Sequence, residues 1–189
     1  MKKIVLIGIL TVLCLALVVG VTFAYNTSEQ EGIQVITMGE MKIAAIQTAI
    51  PEGKTAPEPF AGGYSIFPGK SYSWIFEVEN RCDYDAWIRV SVEKVITLAE
   101  NVDGKPDPDL ISLNLDSAKW ELKDGYFYYK EVLKPGAKTE PLCKGFAFDK
   151  SAGNMYQKSV AKLNAFAYAV QAKNNGSTVF EAAGWPESK

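Results

Sequence analysis

The chain begins with an apolar stretch and then changes to short segments in which apolar and polar residues alternate. Residues 4–23 are almost wholly apolar, Lys2 and Lys3 precede them, and the first acidic residue is Glu29. About 20 apolar residues are enough to cross a bilayer as a helix. A positively charged start followed by an apolar run is also typical of a secretory signal peptide.

The end of the apolar stretch favours one of these two interpretations. The small residues Thr22 and Ala24 stand where a signal peptidase prefers them, and the polar residues 26–31 follow closely. We therefore predict a signal peptide over residues 1–24, cleaved between Ala24 and Tyr25. The alternative is an uncleaved segment that anchors the protein in the membrane.

Most of the remaining chain alternates with the period of β-strands. Apolar residues recur at every second position in residues 71–80 and 86–93, and again in residues 159–172, where one face is rich in alanine. Such alternation is typical of half-buried antiparallel strands. The alanine-rich face predicts close packing of one sheet against another.

Turn residues separate further strands. Asp124-Gly125 supplies the positive φ angles of a two-residue turn and predicts a hairpin over residues 120–129. Residues 142–148 are predicted to form a short strand, and residues 33–46 one or two strands.

The number and spacing of these segments predict the fold class. About eight or nine short strands joined by turns are typical of an all-β sandwich. We predict a single jelly-roll-like antiparallel β-sandwich over residues 25–189. Residues 110–119 are predicted as either a strand or a short helical crossing.

The charge balance argues against nucleic acid as a partner. The signal peptide holds two of the 20 basic residues and none of the 22 acidic ones, so the processed chain has a net charge of −4. A protein that binds nucleic acid would be expected to carry a basic patch.

The absence of histidine excludes several kinds of chemistry. The sequence contains none, which removes Ser-His-Asp and Cys-His nucleophilic sites and the His-based zinc sites of metalloproteases. The sequence indicates no cofactor, no metal site of this kind and no enzyme activity. A hydrolase that uses carboxylates alone is a third-ranked alternative, and it requires two acids facing each other across a cleft.

Two cysteines remain after the signal peptide. In an exported protein Cys82 and Cys143 are either a disulfide or two separate thiols, and the sequence does not decide between them. A disulfide closing a loop of about 60 residues would contribute roughly 4 kcal/mol in the chain-entropy model.

One acidic loop offers a weak calcium candidate. Asp103, Asp107 and Asp109 alternate with other residues and provide the oxygen ligands that calcium prefers. Lys105 and two prolines interrupt the pattern, so a solvated acidic loop is the favoured interpretation.

Aromatic residues give an alternative function. The chain has four tryptophans and a Tyr-Phe-Tyr-Tyr run in the predicted hairpin. Exposed on one face, they would suit a monomeric extracellular module that binds cell-wall or matrix glycans. Aromatic residues at strand spacing are more often core residues or cross-strand pairs. The candidate residues are Trp74, Trp87, Trp120, Trp185, Tyr126, Tyr128 and Tyr129.

Three stretches of the chain carry short motifs in series. They are FAYN and VITMGEMKI at residues 23–26 and 35–43, then FPGKS, FEVEN and DAWIRV at residues 67–71, 76–80 and 85–90, and finally LKPG and AVQA at residues 133–136 and 169–172. Together they span nearly the whole processed chain, and in this order they resemble the TasA/camelysin family of exported Gram-positive proteins.

The resemblance implies a function. Such proteins are processed by a signal peptidase of the SipW type, adopt a jelly-roll fold and reach the cell surface or the extracellular matrix. TasA-like members form biofilm fibres with themselves and with other matrix proteins. They do so by donor-strand complementation, in which the N-terminal segment of one subunit joins a sheet of the next.

In this chain the donor would be residues 25–34, tethered to the membrane only until the signal is cleaved. Camelysin-like members have been described as metalloproteases. The absence of histidine argues against that activity here.

Overall fold

Eleven strands and two short 3₁₀ turns make up the part of the chain described by the computed structural model. It describes residues 33–37, 41–60 and 67–186, for the first of these the backbone only, and they belong to one unit, Glu31–Lys189. The strands are β1 (Ile33–Thr37), β2 (Ile43–Ala49), β3 (Glu58–Pro59), β4 (Ser71–Ser73), β5 (Ile75–Asn80), β6 (Ala86–Thr97), β7 (Ile111–Leu115), β8 (Trp120–Lys123), β9 (Tyr126–Tyr129), β10 (Cys143–Phe148) and β11 (Val160–Gln171).

The predicted signal peptide and its cleavage site at Ala24 and Tyr25 lie outside these residues. Within the described ranges, no helix is long and apolar enough to span a membrane.

The strands form three sheets. One has five strands in the order β1-β11-β6-β9-β8, and two have three strands each, β4-β10-β7 and β3-β2-β5. All pairs but one are antiparallel. The prediction of an all-β protein with sandwich-like character is confirmed.

One strand pair departs from the expected antiparallel arrangement. β1 runs parallel to β11, with Ile33 opposite Ala165 and Thr37 opposite Ala169. Most of the chain separates these two strands, so no hairpin turn fixes their relative direction. The stretch predicted as one or two strands over residues 33–46 is therefore two strands, β1 and β2, in different sheets.

The strand predicted over residues 71–80 is divided between the two smaller sheets. β4 pairs with β10, β5 pairs with β2, and Trp74 lies between them. Leu142 N donates to Phe76 O at 2.8 Å and Thr139 N to Val78 O at 2.9 Å, so the segment before β10 runs beside β5. The two smaller sheets are therefore joined along this shared segment.

The main core lies between the five-stranded sheet and the two smaller sheets. Alternate residues of β6 and β11 enter it, and the alanine-rich face of β11 packs there, as predicted. Small side chains on β11 let the opposing aromatic residues approach closely. The fully buried side chains include Trp74, Phe76, Val78, Ile88, Val90, Ile111, Leu142 and Cys143.

The predicted hairpin is confirmed. Asp124 (φ 50°) and Gly125 (φ 80°) form the turn between β8 and β9, both in the left-handed region. That combination is required by a type I′ turn, which matches the twist of the flanking strands. The predicted stretch of residues 110–119 resolves into the end of the Pro108–Leu110 3₁₀ turn, the strand β7 and the connection to β8.

Candidate functional site

The tryptophans do not form an exposed strip. Trp74 and Trp120 belong to the core between the sheets, at 0 % and 3 % exposure. Trp74 Nε1 donates to Gln47 Oε1 at 2.8 Å, and Trp120 Nε1 donates to Glu140 O at 3.0 Å. Both indole N–H groups thus have partners inside the protein, as buried tryptophans require.

Trp87 occupies the opposite face of the five-stranded sheet. Alternation along β6 places it away from the main core, yet it is only 4 % exposed. It forms an outer cluster that is separate from the main core. The members of the outer cluster are Trp87, Tyr128, Val170 and Val179.

Residues 172–186, which we call the C-terminal strap, cover the outer cluster. Trp87 Nε1 donates to Asn175 O at 3.0 Å, and Val179 is 1 % exposed. Phe180 and Trp185 pack against Tyr128 with ring centroids at 5.3 and 6.0 Å. Tyr128 is therefore buried by the strap and is not available to a glycan.

The strap is held in its bent path by its own hydrogen bonds. Ala183 N donates to Asn175 Oδ1 at 2.8 Å, and Asn175 Nδ2 donates to Ala183 O at 3.1 Å. Gly176 has φ +81°, and a Cβ on it would lie 2.9 Å from Glu181. This turn requires glycine both for its backbone angle and for the close approach.

Arg89 lies at the rim of the outer cluster among aromatic rings. Its guanidinium carbon is 3.9 Å from the ring centroid of Tyr126, 4.8 Å from that of Trp185 and 5.2 Å from that of Tyr168. Its Nη2 donates to Pro186 O at 2.9 Å. Guanidinium groups stack well on aromatic faces. Nothing in the sequence pattern singles out Arg89. The available signal is the alternation along β6, which places Trp87 and Arg89 on the outward face, where a large apolar ring needs a cover.

The buried Nε of Arg89 has no hydrogen-bond partner among the described residues. The guanidinium is otherwise fixed by stacking and by the strap. We therefore assign Arg89 a structural role, in which it joins β6 and its neighbours to the end of the strap.

A polar network ties the hairpin to the segment before β10. Tyr129 donates to Glu140, and Lys119 Nζ lies 2.6 Å from Glu131 Oε1 and 3.6 Å from Glu140 Oε1. The hydrogen bond from Tyr129 and the charge of Lys119 lower the pKa of Glu140. Burial, the largest cause, and the hydrogen bond to Glu140 raise the pKa of Tyr129.

The two carboxylates of this network share a lysine rather than facing each other across an open cleft. Glu131 and Glu140 both pair with Lys119, which neutralises part of their charge. This geometry is unlike the separated acid and base of a glycoside hydrolase.

Cys82 and Cys143 are both buried free thiols, so the disulfide alternative is not present in the structure. Cys82 Sγ accepts from Lys42 N at 2.9 Å, and Cys143 Sγ donates to Trp74 O at 3.5 Å. Burial raises the pKa of the Cys143 thiol to about 12. A thiol that is buried and protonated is a poor nucleophile.

The acidic loop uses its carboxylates locally. Asp107 Oδ1 accepts from Asp109 N at 2.9 Å and caps the 3₁₀ turn Pro108–Leu110, while Asp109 lies 3.4 Å from Lys94 Nζ. Asp103 is exposed. The described part of the chain brings together no group of three or more acidic or cysteine side chains that could hold a metal ion.

Strand edges are the remaining candidate surface. β1 and β8 are the outer strands of the five-stranded sheet, and β7 is an outer strand of a three-stranded sheet. An unpaired edge exposes backbone N–H and C=O groups to which another strand can bind. β3 contains Pro59, which has no N–H to offer, so its edge is a poorer docking site.

Comparison of the chain with protein-family models, with curated proteins and with solved structures gives no match. The functional inference therefore depends on the sequence resemblance and on the geometry described above.

Proposed function

We propose that this protein is exported, processed between Ala24 and Tyr25 by a SipW-type signal peptidase, and acts as a structural subunit of the cell surface or biofilm matrix. Its subunits join by donor-strand complementation through residues 25–34, with themselves or with other matrix proteins. The proposed fold within the all-β class is a jelly roll. The membrane is involved only through the uncleaved signal.

The position of β1 is the observation that supports this proposal best. The first strand of the described residues, β1, is an edge strand, and Ile33 and Gln34 at the end of the proposed donor already pair with Ala165 and Phe166. An edge strand is bonded to the sheet on one side only. A neighbouring copy can therefore offer the same kind of pairing to this part of the chain.

Cleavage would act as the assembly switch. Before cleavage, residues 25–34 are joined through Ala24 to the apolar segment of residues 4–23. They would then be tethered to the membrane through that segment. After cleavage Tyr25 would be the new N-terminal residue, eight residues ahead of Ile33 at the start of β1. A free end can reach the sheet edge of another subunit without threading through a loop.

The glycan-binding alternative has less support. Among the aromatic candidates, Trp74, Trp87 and Trp120 are buried, and so are Tyr128 and Tyr129. The half-buried Tyr126 and Trp185 stack on Arg89 rather than forming a flat strip. A sugar-binding surface needs aromatic faces that are open to the ligand.

The test compares three forms of the purified chain by electron microscopy and sedimentation. The first begins at Tyr25, the second at Ile33 and the third at Gln34. The second form keeps all of β1 and serves as a matched control for folding. We expect filaments from the first form only.

Two outcomes would contradict the proposal. If all three forms stay monomeric at high concentration, residues 25–34 do not drive assembly and the binding module becomes the better hypothesis. If all three form the same filaments, assembly uses another surface.

A further inference from the structure

The outer edge of β8 has an unpaired residue in the correct orientation for a new strand. Lys119 O accepts from Lys130 N at 3.0 Å, and Lys123 lies opposite Tyr126 across the two-residue turn. In an antiparallel hairpin the residues that bond the partner alternate with residues that point away. Leu122 therefore directs its N–H and C=O away from β9, towards the open side.

The side chain of Leu122 is also uncovered. It lies on the same face of β8 as Trp120, which is 3 % exposed, yet Leu122 is 60 % exposed. In the part of the chain that the structure describes, β8 pairs with β9 alone. The apolar side chain of Leu122 thus lies beside the unpaired backbone groups of the same residue, at one edge of the five-stranded sheet.

Charges on an edge strand normally discourage pairing. On β8 the charged residues next to Leu122 are Glu121 and Lys123, which have opposite signs. Both project from the face opposite Leu122, because side chains alternate along a strand. The Glu121 carboxylate makes no ion pair with any described residue. Lys123 Nζ lies 5.4 Å from the ring centroid of Phe180.

From this pattern we infer that β8 is a self-complementary interface, which binds β8 of a second copy in antiparallel orientation. A two-fold axis at Leu122 places that residue opposite its counterpart, and the two exchange both N–H···O=C hydrogen bonds. The same axis places Glu121 of each copy opposite Lys123 of the other. The result is one ten-stranded sheet across two subunits, with a closed, isologous contact.

This contact is independent of the donor segment. β8 and β1 are at opposite edges of the same sheet, so a subunit can use both. Together they would let chains of subunits join side by side, which donor-strand pairing alone does not provide.

Charge reversal tests the register. Sedimentation equilibrium is measured on Glu31–Lys189, which holds all eleven strands and lacks most of the donor segment. We expect a concentration-dependent dimer. E121K makes two opposite-charge pairs into like-charge pairs and should raise the dimer dissociation constant about tenfold, as should K123E. The double variant E121K/K123E restores both pairs and should return the constant to within about threefold of the parent.

A cysteine at the axis gives a second measurement. Residues opposite each other in a hydrogen-bonded antiparallel pair have Cα atoms about 5.5 Å apart, within the range of a disulfide. Oxidised L122C should form a covalent dimer. The matched control S112C, on the exposed edge strand β7, should not.

The inference is overturned if Glu31–Lys189 remains monomeric at millimolar concentration. It is equally overturned if the double variant dimerises no better than the single ones, or if L122C and S112C cross-link alike. Thermal unfolding of each variant verifies that the fold is intact. Filaments from the form beginning at Tyr25 would leave the donor-strand proposal standing in each of these cases.

Discussion

The two faces of the five-stranded sheet are buried by different means. The inner face packs against two further sheets, whose strands are held by backbone hydrogen bonds. The part of the outer face around Trp87 and Val170 is covered by the C-terminal strap, a segment without strand or helix that is held by side chains and a few hydrogen bonds. Equal burial therefore does not imply equal rigidity, and the strap has more freedom to adjust to a change beneath it.

Trp→Ala substitutions on the two faces should show the largest difference. W74A opens a cavity in the main core and removes the donor to Gln47, so we expect it to lower the free energy of unfolding by about 3–5 kcal/mol. W185A removes a half-buried ring from the strap and should cost about 1–2 kcal/mol. Urea unfolding followed by circular dichroism measures both. Similar costs would show that the strap is as rigid as the core.

A pair of buried valines gives the same comparison without an aromatic ring. Val78 is 0 % exposed in the main core, and Val179 is 1 % exposed in the strap. The cost of a cavity depends on how far its surroundings can collapse. We expect V78A to cost about 2–3 kcal/mol and V179A about 1 kcal/mol by urea unfolding. A larger loss for V179A would contradict the difference in rigidity.

Arg89 tests what holds the strap to the sheet. R89K keeps the positive charge but loses the planar stack on Tyr126 and Trp185 and the fork geometry that bonds Pro186. We expect a loss of about 1 kcal/mol and faster backbone amide hydrogen exchange in the strap, with exchange in β10 unchanged. If R89K and R89M behave like the parent in both measurements, Arg89 does not fasten the strap.

The network around Glu140 should give the smallest effect, visible as a dependence on pH. Because the folded state lowers the pKa of Glu140 below its ordinary value of 4.5, its contribution to stability is present above that value. It is lost as the pH falls through the folded pKa. E140Q should therefore lose less stability than the parent between pH 5 and about pH 3, by urea unfolding at each pH. E121Q is the control, and an identical change in E121Q would show that the effect is not specific to Glu140.

Most strands could be predicted from the sequence because the alternation that marks a strand depends only on residues close together in the chain. Residues 71–80 and 86–93 point the expected side chains inward, and Asp124-Gly125 forms the expected turn. The division of residues 71–80 between two sheets was not predictable from this pattern. It depends on the pairing of β4 with β10 and of β5 with β2, which are contacts between distant parts of the chain.

The candidate surfaces were predicted less well for the same reason. The burial of Trp87 and Tyr128 depends on Val179 and Phe180 in the strap, far along the chain. Alternation alone assigns the outer face of a sheet to solvent. The edge position of β8 follows from the sheet order, whereas the opposite charges of Glu121 and Lys123 can be read directly from the sequence.

The parallel pairing of β1 with β11 has a mechanical consequence. In two parallel strands the start of one and the end of the other lie at opposite ends of the ladder. Tension applied between the start of β1 and the end of β11 would therefore load the backbone hydrogen bonds over all five paired residues together, in shear. An antiparallel β1 would bring those ends to one side, and the same tension would open the bonds one after another, as in unzipping.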